Sequence, residues 1–125
     1  MVGMVCFAAA QAHAQETEQF SIPVARGGVS LMGVSGNTIL DRCTKSRRSD
    51  QEYCLAWMRL AADNAMSLKS IDPKLPLCIP QGVDATQLRD VAIADLRKHA
   101  KDRHMAASIL VAEAFYKAWP CQTDK

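Results

Sequence analysis

The stretch CIPQGVDATQLRDVAIADLRKHA, residues 78–100, holds an extended entry, a helix start and a helix in one line. Pro80 cannot donate a backbone hydrogen bond and biases Ile79 away from helix, so residues 78–83 read as extended. Asp84 followed by Gln87 is a capping box, in which each side chain satisfies a backbone amide that the first helical turn leaves orphaned. Leu88, Val91, Ala92 and Leu96 then recur at helical intervals, and the spacing predicts a helix over residues 85–99 with these side chains buried.

Past this stretch, a short turn at residues 100–103 leads to a further helix predicted over residues 104–119 and stopped by Pro120. Its apolar positions Met105, Ile109, Ala112, Phe115 and Trp119, joined by Leu110 and Val111, cover a wide arc, which is expected of a helix packed on several sides. Upstream, Asn37 is the expected N-cap of a short helix over residues 38–45 with Ile39, Leu40 and Cys43 on one face. After a polar turn, Ser49 and Glu52 form a second expected capping box. It opens a helix to about residue 68, with Tyr53, Trp57, Leu60, Ala61, Asn64 and Leu68 as its expected buried stripe. No segment combines period-two alternation with a hairpin turn, so the fold class is all-α: a small domain of four to five helices.

At 125 residues, the chain has room for one ordinary domain. Fifteen basic against 13 acidic residues leave a net charge of +2 with no single-sign field, which argues against a nucleic-acid partner. No run of 18 apolar residues exists, so no membrane span is expected once a leader is removed. Residues 1–14 read as that leader: a short apolar run ends in Ala12-His13-Ala14, a small-x-small cleavage pattern, and polar residues follow at once. Residues 15–35, with Pro23, Gly27, Gly28 and Gly33 but no period, read as a flexible arm; residues 36–121 form the helical domain and 122–125 a short tail.

Removing the leader takes away Cys6 and leaves Cys43, Cys54, Cys78 and Cys121, an even set in a small exported domain, which reads as two disulfides. Spacings of 11, 24 and 43 lack the close pairs of a zinc site and the C-x-x-C of a redox site. The last two predicted helices, joined by a short turn, pack antiparallel, which brings the start of one beside the end of the other. Cys78 and Cys121 flank those ends, and Cys43 and Cys54 flank the polar turn, so the expected pairing is Cys43 with Cys54 and Cys78 with Cys121.

No catalytic or metal-binding constellation emerges, and no cofactor is implied. Ser30 and Ser35 stand outside a nucleophile-elbow frame, and the glycines at 27, 28 and 33 lack the Gly-Lys-Ser/Thr of a phosphate loop. His99 and His104 read as helix-end caps, Lys45, Arg47 and Arg48 as a solvated turn, and Trp57 and Trp119 as core. A domain without a chemical site is expected to bind through its surface. The best candidate is the loop from Lys69 to Pro76, where Lys69, Ser70, Asp72 and Lys74 surround the apolar anchors Ile71 and Leu75, and two prolines reduce the ordering cost.

Several residue groups together resemble one family. They are Gly36-Asn37 with Leu40, Cys43 and Tyr53-Cys54; Cys78-Ile-Pro-Gln-Gly-Val83 with Gln87-Leu88 and Val91; and His99, Arg103-His104, Ala106-Ala107 and Trp119-Pro120-Cys121. Over about residues 36–121 they resemble the Rap/Tai immunity-protein domain. The resemblance implies a periplasmic all-α protein, often a homodimer, that binds a peptidoglycan amidase effector of type VI secretion and blocks its cleft with a loop. Ala56, Trp57 and Leu60 depart from the family, which commonly has glycines and a tyrosine just after the second cysteine. The alternative function is a small periplasmic helical chaperone of the acid-stress type, which size, export and disulfides also suit.

Overall fold

The computed structural model describes residues 29–122. It is all-α, with helices α1 (Gly36–Thr44), α2 (Arg48–Ser67), α3 (Ala85–Lys98) and α4 (Ala107–Ala118), plus single 3-10 turns at Leu68–Ser70 and Ala100–Asp102. Each helix packs against the other three. The core they enclose is built from Ile39, Trp57, Met58, Leu77, Leu88, Leu96, Val111 and Phe115, all almost fully excluded from solvent. Both disulfides are present in the expected pairing, Cys43–Cys54 across the α1/α2 turn and Cys78–Cys121 at the open end of the α3/α4 hairpin.

The helix starts differ instructively from those expected. The capping box at α3 forms in both directions: the Gln87 amide donates to Asp84 Oδ1 at 2.9 Å and the Asp84 amide to Gln87 Oε1 at 3.2 Å. At α1 the cap is Ser35 and not Asn37, with the Thr38 amide donating to Ser35 Oγ at 3.1 Å. The reason lies outside the helix. The Gly36 and Asn37 amides donate to the carbonyls of Met105 and Arg103 at 2.9 and 2.8 Å, so the α3/α4 connection satisfies the first turn and fixes its start.

The expected box of Ser49 and Glu52 does not form. Helix α2 starts at Arg48, two residues earlier than a Ser49 cap implies, and has no side-chain cap. Asp50, in its first turn, faces inward to two arginines instead. The buried face is correspondingly rotated: Cys54, Trp57, Met58, Ala61, Ala62 and Ala65 point in, whereas Leu60, Asn64 and Leu68 are exposed and Tyr53 is half-buried. The Cys43 bridge holds Cys54 inward, and three alanines let neighbouring helices approach closely.

Helix α3 ends at Lys98 and buries Ile93, with Val91 only half-buried. Helix α4 begins at Ala107 and not at residue 104, because Ala106 is engaged as an extended residue in an antiparallel bridge with Ser35. Met105 and Ile109 are consequently exposed, and Ala107, Leu110, Val111, Ala114 and Phe115 form the inward face.

Of the expected arm, residues 29–35 run along the helices, with Val29, Leu31 and Val34 packed on the core. The Ala107 amide donates to the Val34 carbonyl at 2.8 Å. The remainder of the arm and the expected leader at residues 1–14 lie outside the described residues, as does most of the tail.

Candidate partner-binding surface

Helix α2 runs directly into the 3-10 turn Leu68–Ser70, and the chain then leaves the helices until Asp84. The first half of this excursion is internally bonded. The Ile71 and Asp72 amides both donate to the Leu68 carbonyl, at 3.0 and 2.9 Å, and Ser70 Oγ donates to the Ser67 carbonyl at 2.6 Å. Asp72 organises the next turn, with Oδ1 accepting from the Lys74 amide at 3.1 Å and its carbonyl from the Leu75 amide at 3.1 Å. Leu77, fully buried, anchors the far end. The loop is therefore shaped before any partner arrives, which lowers the ordering cost of binding.

Its side chains divide into two groups. Ser70, Ile71, Asp72 and Lys74 are exposed, Ile71 to 80%, while Lys69 and Leu75 are half-buried. Lys69 reaches back over the second disulfide, its Nζ 3.3 Å from Sγ of both Cys78 and Cys121. Beside the loop, Met66, Ile79, Pro80, Trp119 and the two cysteines line an open, largely apolar hollow of about 880 Å³. An apolar anchor flanked by an acid and a base, next to an apolar hollow, can bind a protein surface of mixed character.

The remaining residues singled out in the sequence take up structural places. His99 ends α3 with Nδ1 2.8 Å from the Asp95 carbonyl oxygen, and Lys117 Nζ lies 3.2 Å from the Asp95 carboxylate. His104 lines a separate shallow hollow with Val34, Ser35 and Ala106. Trp57 is buried, as expected, while Trp119 is half-buried with its ring centroid 5.9 Å from that of Phe115. Among the described residues no cluster of three metal-binding side chains occurs, and no helix is long and apolar enough to cross a membrane.

The basic turn is more than a solvated stretch. Arg47 Nε lies 2.9 Å from Asp50 Oδ2, Arg42 Nε lies 2.6 Å from Oδ1, and the Arg42 guanidinium sits 3.9 Å above the Tyr53 ring. Burial raises the Asp50 pKa, but the hydrogen bonds and charges of Arg47 and Arg42 more than offset this, leaving it below the usual carboxylate value. Sequence reading missed this knot. The available signal was charge: Asp50 is an acid within reach of Arg47, three residues before it, and of Arg42, which the Cys43–Cys54 bridge brings close.

No curated protein and no solved structure matches the chain. A family model does, that of the Rap1a immunity proteins, over residues 35–121. The match begins at the Ser35 cap of α1 and ends at the second cysteine of the Cys78–Cys121 bridge, spanning the four helices and two disulfides of the described residues. By that match, and on the fold and disulfide pattern just described, this chain belongs to the Rap1a immunity protein family.

Proposed function

We propose that the protein is a periplasmic immunity protein that binds and occludes a peptidoglycan amidase effector delivered by type VI secretion. Membership of an immunity family carries the first part, protection against a secreted effector. Periplasmic action is supported by the two disulfides, which persist in oxidising compartments, and by the leader read at residues 1–14. The amidase target follows from the resemblance of the cysteine framework to Rap/Tai proteins.

The observation that carries the binding mode is the pre-shaped loop from Lys69 to Leu75, bonded internally and moored at Leu77, with Ile71 at its exposed tip. In this reading Ile71 enters the effector's cleft, and Ser70, Asp72, Lys74 and the stem of Lys69 line the contact, with Leu75 holding the loop's shape. Leu68 and Ile109, exposed on the rim of a groove between α2 and α4, support a homodimer formed on that groove.

The test is inhibition of a purified cell-wall amidase effector by the oxidised segment 15–125. Stoichiometric loss of amidase activity supports the proposal, and full activity in the presence of excess protein removes it. Amidase binding without loss of activity would overturn occlusion while leaving recognition.

A further inference from the structure

The two disulfides stand in contrasting surroundings. Cys43 and Cys54 are 5% and 0% exposed, inside the α1/α2 contact. Cys78 is exposed, Cys121 is half-exposed, and both line the open hollow beside the loop. A thiolate must reach a sulfur nearly in line with the bridge to exchange with it, so only the second bridge can be attacked without opening the fold. It also carries an activating group, the Lys69 ammonium at 3.3 Å from each sulfur.

We infer that Cys78–Cys121 is the thiol–disulfide exchange site of this protein, open to an external dithiol, with Lys69 promoting exchange. The dithiol's thiolate attacks Sγ of Cys78, the more exposed of the two residues. The Cys78–Cys121 bond breaks and its electron pair leaves with Cys121 Sγ, where the Lys69 ammonium stabilises the developing negative charge. The dithiol's second thiolate then attacks its own mixed-disulfide sulfur and releases Cys78. The two cysteine thiolates take up the two protons that the dithiol gave to solvent on ionising, so two protein thiols are formed as the dithiol is oxidised to a disulfide, and two electrons have moved.

The products have reason to keep the surrounding fold. The Cys78 amide donates to the Trp119 carbonyl at 2.8 Å and Leu77 stays buried, so both chain ends are held without the sulfur bond. What is lost is the covalent tie between Cys78, at the far end of the loop, and Cys121, beyond α4, and with it a restraint on the loop. Taking that loop as the effector-binding element, exchange at this bridge controls binding; this extension alone rests on the function proposed above.

The test uses the full mature chain and dithiothreitol under native conditions, with thiols alkylated at intervals and assigned by mass. Cys78 and Cys121 are expected to appear together, at least about 100-fold faster than Cys43 and Cys54, because the latter wait for the fold to open. Lys69→Met is expected to slow their appearance by about fivefold at low salt, the size of one near-surface charge interaction, and Lys69→Arg to restore most of the rate. Added salt should narrow the gap between the unsubstituted chain and the Lys69→Met variant. Equal opening rates for the two bridges, or a Lys69→Met rate equal to that of the unsubstituted chain, would overturn the inference. Amide exchange at residues 69–75 in the reduced protein reads the loosening directly, and none of these readouts needs an amidase.

Discussion

The Trp57 indole nitrogen donates to the Ser30 carbonyl oxygen at 3.1 Å, joining the middle of the longest helix to a residue 27 positions earlier. Trp57 is fully buried, and its N–H would be unsatisfied there without a partner outside α2. The bond thus explains why residues 29–35 lie along the helices although their composition reads as a connector.

Replacing Trp57 with Phe removes that donor and part of the buried volume. The expected cost is about 2–4 kcal/mol, a lost hydrogen bond added to a core truncation. Amide exchange should rise first at Ala107, whose N–H donates to the Val34 carbonyl, before the helix interiors respond, and unchanged protection there would show that the arm is held by other contacts.

Gly36 stands where chains approach most closely. A Cβ at this position would lie 2.7 Å from Leu110 Cδ1 and 3.0 Å from the Arg103 carbonyl oxygen. Leucine can shift its methyl group, but the carbonyl is fixed by the Asn37 amide it accepts at 2.8 Å. Gly36→Ala is therefore expected to destabilise the domain by about 1–3 kcal/mol in denaturant unfolding, as over-packing does, even though alanine is the better helix former.

Asp50 gives the fold an acid limb. Its folded pKa lies below the unfolded value of about 3.9, so its pairing with Arg42 and Arg47 stabilises fully above that value and is lost as pH falls through the folded one. In thermal unfolding followed from neutral pH down past the unfolded value of about 3.9, Asp50→Asn should flatten the fall in Tm and lower Tm at neutral pH. An unaltered acid limb would assign the sensitivity to other carboxylates.

Each bridge should also be measurable alone. On the chain-entropy account the 11-residue separation of Cys43 and Cys54 is worth about 3 kcal/mol and the 43-residue separation of Cys78 and Cys121 about 4 kcal/mol. Paired serine substitutions read in denaturant should follow that order, and a larger loss from the shorter loop would point to packing at the buried sulfurs as the dominant contribution.

Much of what was local was legible, although the expected Ser49–Glu52 box did not form. The Asp84–Gln87 box, the helix that follows it and the Cys78–Cys121 closure all depend on residues near one another in the chain or on the geometry of one hairpin. Features set by distant partners were not legible. Ser35 displaced Asn37 as a cap because carbonyls some 70 residues away take the first amides of α1, and the buried face of α2 turned because a disulfide and an inward carboxylate fixed its rotation. The candidate surface was found as a loop with two apolar anchors. Its shape was not, because Leu75 turned half inward and Lys69 went to the sulfurs.

The loop's role in binding is tested at its tip. Ile71→Asp leaves the core untouched, since this side chain is 80% exposed, so Tm should stay within about 3 °C of the parent's, as expected of a surface change. Affinity for the effector should fall by about 2 kcal/mol or more, roughly 30-fold, as for the central anchor of an interface. Unchanged affinity would move the contact elsewhere on the domain.

The most direct measurement of the central claim is capture with the tagged, oxidised segment 15–125 from cultures secreting type VI effectors, with retained proteins identified by mass and assayed on peptidoglycan. One stoichiometric partner is expected, a peptidoglycan amidase inactive in the complex and active when released. Retention of many unfolded periplasmic proteins without a stoichiometric partner would contradict it and favour a chaperone, and a partner of different chemistry would retain the immunity family while overturning the amidase.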